Sequence, residues 1–103
     1  MPKGFSRRDL FQTAPLGAAA AFLGRPEEAR AYYEEALDMA TRLRFRPEIA
    51  LTRRGFAELL LEHYPDEKAE ALGHFDFAIG EFREMKMHPA LERALKQREA
   101  HKA

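Results

Sequence analysis

Apolar residues recur at helical spacing along most of this chain, and prolines and glycines interrupt the pattern. The clearest segment opens at Pro26, a favoured first helical residue, with Glu27 and Glu28 in the turn where the helix dipole favours acids. Ala29, Tyr33, Ala36, Leu37, Ala40 and Leu43 then fall on one face, which predicts a helix to about Arg44. A second stripe follows Pro47: Ile49, Thr52, Phe56, Leu59, Leu60 and His63. It must stop before Pro65, because the residue preceding a proline is pushed out of the helical region. Asp66 and Glu67 are expected to open the next helix, with the stripe Leu72, Phe75, Ala78, Ile79, Phe82 and Met85. His88-Pro89 breaks the chain again. A short final helix carries Leu91, Ala94 and Leu95, and a polar tail from Lys96 to Ala103 is expected to fray.

The N-terminal part allows two readings. Ala-rich sequence from Thr13 to Gly24 suits a first helix that Gly24 stops. It begins near Arg7 and bends at Pro15, or begins near Thr13. Ser6 and Asp9 then act as an N-cap with an acid three residues on. Alternatively, Ser6-Arg7-Arg8-Asp9-Leu10-Phe11 has the form of a twin-arginine export signal, although Gly24 runs into Arg25-Pro26-Glu27-Glu28 with no small-x-small cleavage site.

Composition narrows the class. Valine is absent and isoleucine occurs only at positions 49 and 79, while Ala, Leu, Glu and Arg dominate, so the chain is expected to be all-α. Its length of 103 residues suits one domain of about five helices. The expected organisation is a hairpin over about 10–44, a second over about 47–86 and a capping helix over about 89–100. Lys plus Arg and Asp plus Glu both number 17, which argues against nucleic-acid binding through a global positive field. Cysteine is absent, which excludes thiol chemistry and suits a reducing, cytoplasmic compartment. No apolar run approaches the roughly 18 residues a membrane span needs.

The two hairpins share a signature. Ala29, Tyr33 and Ala36 recur as Ala71, Phe75 and Ala78, spaced four and then three residues apart. Small residues let helices approach, and the aromatic between them fills the neighbouring groove. This pattern resembles the tetratricopeptide repeat, and Leu16-Gly17 matches that family's Leu-Gly pair in register. The second unit departs from it: Gly55 is the matching glycine, but Arg54 stands where leucine is expected. About four extra residues also lie around His63 to Lys68. Phe22 to Leu37 and Met87 to Leu95 further resemble the C-terminal helical-repeat regions of large bacterial regulators, including LuxR-type activators and cyclase-linked ATPases. The resemblance implies a non-catalytic module that binds a protein partner or transmits a regulatory state. Two hairpins alone leave two open ends, which predicts self-association, as a homodimer, or a missing upstream partner domain.

Motifs for chemistry are lacking. The histidines at 63, 74, 88 and 101 form no HxxxH or HExxH pair, so no zinc site is expected. His74 is expected to face solvent or the rim of the fold. No phosphate-cradling loop or nucleophile elbow occurs, so the chain calls for no cofactor, metal or catalytic residue. Arg42, Arg44, Arg46, Arg53 and Arg54 form the one basic concentration, which reads either as a nucleic-acid contact or as a solvated face balanced by Glu48 and Glu58. Tyr32, Phe45 and Phe77 fall off the stripes. With Arg53 and Arg54 they are the expected partner-contact residues, unless the three aromatics pack under a neighbouring helix.

Overall fold

The computed structural model describes residues 6–101. Five α-helices follow one another: α1 (Arg7–Phe22), α2 (Pro26–Arg42), α3 (Arg46–His63), α4 (Lys68–Glu84) and α5 (His88–Ala100). They pack as adjacent hairpins, α1 on α2 and α3 on α4, with α2 against α3 joining the two and α5 laid on α4. The predicted all-α architecture is therefore observed.

Of the two expected starts, α1 takes the earlier one. Ser6 and Asp9 form a capping box: the Asp9 N–H donates to Ser6 Oγ at 3.2 Å and the Ser6 N–H donates to Asp9 Oδ2 at 2.9 Å. The Ser6 N–H and, at 3.1 Å, the Ser6 hydroxyl both donate to the Asp9 carboxyl and hold it below its ordinary pKa. The helix continues through Pro15 to Phe22. It buries Leu10, Gly17 and Ala20, while Leu16, Phe22 and Leu23 stay outside the core. Thus Leu10 anchors the start of the helix, and the Ala-rich stretch after it packs through its smallest residues, Gly17 and Ala20.

Three of the four connections use one turn. At Gly24, Arg44 and Lys86 the backbone takes positive φ of 73°, 54° and 58°. In each, the following N–H reaches back to the last helical turn: Arg25 to Ala20 O at 2.9 Å, Phe45 to Ala40 O at 3.0 Å and Met87 to Phe82 O at 2.9 Å. This is the Schellman geometry, which satisfies otherwise orphaned carbonyls. It ends α2 at Arg42, two residues before the expected end, because Leu43 is the cap and Arg44 has left the helical region.

The α3–α4 connection is different. Pro65–Glu67 forms a 3-10 turn, so Asp66 and Glu67 precede α4 rather than open it. Arg30 on α2 clamps this insertion with a two-pronged ion pair to Glu67, at 2.6 and 2.8 Å, and lies over the Tyr64 ring at 4.7 Å. The pair holds Glu67 below its ordinary pKa.

In α5 the polar tail that was expected to fray is helical as far as Ala100. Arg98 pairs with Asp76 at 3.0 Å and Arg54 reaches Gln97 at 3.4 Å. The remainder of the expected tail, residues 102–103, lies outside the described residues.

The core is built from three contiguous groups. Around the α2–α3–α4 junction lie Ala29, Phe56, Leu60, Ala71 and Phe75. Towards α5 lie Ala50, Ala78, Ile79, Phe82 and Ala94. Under the start of α1 lie Leu10, Ala36, Met39 and Ala40. The small-large-small residues of both units sit here, and of these only Tyr33 is part-exposed.

Candidate protein-binding groove

Because α1 packs on α2 but barely touches α3, a groove opens between α1 and α3, floored by a residue of α2. That residue is Tyr33, placed there by the absence of two side chains. A Cβ built on Gly17 of α1 would stand 3.1 Å from the Tyr33 ring, and one on Gly55 of α3 would stand 2.8 Å from it. The ring is thus closely framed by both glycines: a methyl at Gly55 would force it to shift, and one at Gly17 would press it by a few tenths of an ångström. Its inner face stacks on Phe56, with centroids 6.1 Å apart and planes 8° from parallel. Phe56 in turn stacks on His74 at 5.2 Å. Burial and the nearby Glu58 raise the pKa of the Tyr33 hydroxyl, which makes no hydrogen bond to another described residue.

Two adjoining hollows of about 230 and 170 Å³ run along this groove and share Ala18, Tyr33 and Gly55. The α1 wall is uncharged: Ala14, Pro15, Ala18, Ala21 and Phe22. The α3 wall is mixed: Glu48, Arg54, Glu58 and Glu62 carry charge, with Leu51 and Leu59 among them. Arg54 is committed to Glu58, one turn along the helix. Glu48 is half-buried with no cation in contact, and burial raises its pKa.

The five expected contact residues do not converge on one surface. Arg54 lines the groove. Arg53 instead sits over Phe77 of α4, 4.0 Å from the ring centroid, and Phe77 is 39% exposed. Phe45 lies at the α2–α3 turn, edge-on to Phe11 at 5.9 Å with Arg7 above it at 4.6 Å. Tyr32 packs against the junction core. Tyr32 and Phe45 are thus part-buried under neighbouring helices.

His74 is corrected outright. It is 8% exposed, not at the rim. The Arg53 Nε–H donates to His74 Nδ1 at 3.1 Å, and His74 Nε2 lies 3.4 Å from Glu70. Since Arg53 can only donate, His74 Nδ1 must accept, and the ring is neutral with its proton on Nε2. Burial first, and then the Arg53 charge, lower its pKa. The signal was in the sequence: His74 lies three residues after Ala71 on the α4 stripe.

Three of the five arginines in the basic concentration are paired with acids. Arg42 meets Asp38 at 3.1 Å; Arg46 meets Glu81 at 2.6 Å and Glu84 at 2.8 Å; Arg54 meets Glu58. Among the described residues, no cluster of His, Asp or Glu could hold a metal, and no helix is long and apolar enough to cross a membrane.

Stacked helical hairpins around a small-large-small core, with an open groove on one side, are the features of a repeat scaffold rather than of a closed helical bundle. The tetratricopeptide repeat family model matches residues 9–76, from α1 into α4, and the chain belongs to that family. Repeats of this family typically mediate protein–protein interactions and are typically non-catalytic. No curated protein and no solved structure matches the chain.

Proposed function

We propose that the chain is a non-catalytic module that binds a protein segment in the α1/α3 groove. The observation that carries this reading is the Tyr33 floor. An aromatic whose hydroxyl makes no hydrogen bond to another described residue is left part-exposed between two glycines, where a repeat built only for stacking would place a filled contact. Arg54, Glu58 and Phe22 form its sides and one end. The test is to fill the groove without touching the core. Ala18 is exposed and borders both hollows, so Ala18→Phe leaves the helical circular dichroism and melting temperature unchanged. It abolishes photo-crosslinking of a bound peptide to a reactive group installed at Glu62. Undiminished crosslinking in the folded variant would sink the reading.

A second reading rests on the exposed strip of α1. Leu16, Phe22 and Leu23 are 42%, 90% and 63% exposed, which leaves one end of the stack apolar. Arg7 and Arg8, with Asp9 beside them, flank the strip at one end; Glu27 and Glu28, the latter paired with Arg25 at 3.6 Å, flank it at the other, so the ends are net basic and net acidic. Two copies meeting with antiparallel α1 helices set each basic end against the other's acidic end, so the partner of this strip is a second copy, in a two-fold homodimer. Sedimentation is expected to give a dimer that Leu23→Lys converts to monomer; a wild-type monomer at high concentration would refute it.

The segments Phe22 to Leu37 and Met87 to Leu95 support a place in a larger bacterial regulator of the LuxR-type or cyclase-linked kind, acting in the cytoplasm. Finding the reading frame fused to, or beside, such a regulator is the expected outcome of inspecting its genomic neighbourhood.

A further inference from the structure

The groove's two walls differ in a way that specifies the chemistry of its occupant, and this inference rests on the groove being the binding site. Between Asp9 and Arg25, α1 carries no charged residue at all. Its wall offers only apolar contact, from Ala14, Pro15, Ala18, Ala21 and Phe22. Across the groove, α3 presents three carboxylates and one guanidinium. The guanidinium, Arg54, is spent on the middle carboxylate, Glu58, which Arg93 also approaches at 3.9 Å. The two outer carboxylates have no such partner. Glu48 has no ion pair, and Glu62 meets only the neighbouring His63, at 3.7 Å.

Glu48 is the more telling of the two. A half-buried carboxylate away from any cation has lost part of its hydration without compensation. A cation delivered by a ligand restores what burial removed, so the interaction gains more than an exposed pair would. Glu62 is exposed and supplies a second, weaker attachment. The two positions are fourteen residues apart on one helix, which at about 1.5 Å per residue places them roughly 21 Å apart along α3. An extended chain covers that distance in about six residues. Between them, the Tyr33 hydroxyl has a proton to donate to a ligand carbonyl.

We infer that the groove selects an extended segment with a lysine or arginine at each end, about six residues apart, and small or aliphatic side chains between them facing α1. The cations sit at Glu48 and Glu62, and the apolar centre crosses Tyr33.

Three synthetic heptapeptides with the same alternating leucine–alanine centre test this. One ends in lysines, one in glutamines and one in glutamates. Fluorescence anisotropy with the full chain is expected to rank lysine over glutamine over glutamate, with at least tenfold between first and last. The gap narrows in 1 M salt, where charges are screened beyond about 3 Å. The double substitution Glu48→Gln with Glu62→Gln weakens the lysine peptide about five- to tenfold and leaves the glutamine peptide unchanged. Ala18→Phe removes binding of all three. Equal affinity for all three peptides, or a lysine preference that survives the double substitution, overturns the charge assignment while groove binding, read by Ala18→Phe, stands. Binding that Ala18→Phe leaves intact, or no binding of any peptide, overturns both.

Discussion

The two hairpins solve the same packing problem with different materials. The α3/α4 hairpin is built on large side chains: Phe56, Leu59, Leu60, Phe75, Ile79 and Phe82 are all buried. The α1/α2 hairpin is built on small ones: Gly17, Ala20, Ala29, Ala36 and Ala40, with Leu10 and Met39 as its only large, fully enclosed contributors. Close approach of small residues brings backbones together but removes little apolar surface from water. The second hairpin therefore anchors the fold, while the first is the lighter part that frames the groove. A binding element drawn from the less stable end of a structure can adjust to its ligand at small cost.

The strongest way to break this comparison is truncation of one large residue in each hairpin. Phe75→Ala should destabilise by about 3–5 kcal/mol and lower protection from hydrogen exchange throughout the chain. Leu10→Ala should cost about 2–3 kcal/mol. Its loss of protection should be confined to α1 and the start of α2, leaving α3 to α5 as before. Equal, chain-wide loss for both would show that the hairpins are one cooperative unit.

Next is the glycine contact that joins them. Gly55→Ala gains about 1 kcal/mol of helix propensity but drives a methyl into the Tyr33 ring, at a cost of about 1–3 kcal/mol. The expected net is a destabilisation of about 1 kcal/mol in denaturant melts. In a Tyr33→Ala background the sign should reverse.

The turns come third. Arg44 and Lys86 hold the left-handed conformation that Gly24 adopts freely. Arg44→Gly and Lys86→Gly should each stabilise by up to about 1 kcal/mol, whereas Gly24→Ala should destabilise by a similar amount; thermal melts decide.

The smallest effect tests His74, in the second hairpin. Its folded pKa lies below the ordinary histidine value, so the unfolded chain binds the proton more readily. The stabilisation is complete above about pH 6.5 and is lost as the pH falls through that value towards the lower folded pKa. Protonation at Nδ1 would set two cations, His74 and Arg53, against each other, with only Glu70 opposing them. His74→Gln should flatten stability between pH 7 and 5. The lowered carboxyls of Asp9, Glu67 and Glu81 titrate below that window, whereas the raised carboxyl of Glu48 works in the opposite sense, adding stability as the pH falls.

Much of the fold could be read from the sequence because it rests on local rules. Pro26, Pro47 and Pro89 marked helix starts, and the Ala29-Tyr33-Ala36 spacing marked the repeat. Gly17 and Gly55 were both visible as the family's glycines, but that one ring lies between them is a tertiary fact. The groove was hidden for a physical reason. Its α1 wall is alanine and proline, which carry no chemical signal, and Glu48 and Glu58 looked like ordinary balancing charges. The left-handed turns at Arg44 and Lys86 were equally hidden, since nothing in a basic side chain announces positive φ. The Pro65–Glu67 turn was misread because acids beside a proline look the same before a 3-10 turn as in a first helical turn.

The position of Tyr33 also governs what light can report about this protein. The chain has three tyrosines and no tryptophan. Tyr32, Tyr33 and Tyr64 all pack around the same junction core. Intrinsic emission therefore comes from one neighbourhood, one of whose fluorophores is the groove floor. A peptide settling on Tyr33 should be visible in unlabelled protein, while α5 and its contact with α4 remain optically silent.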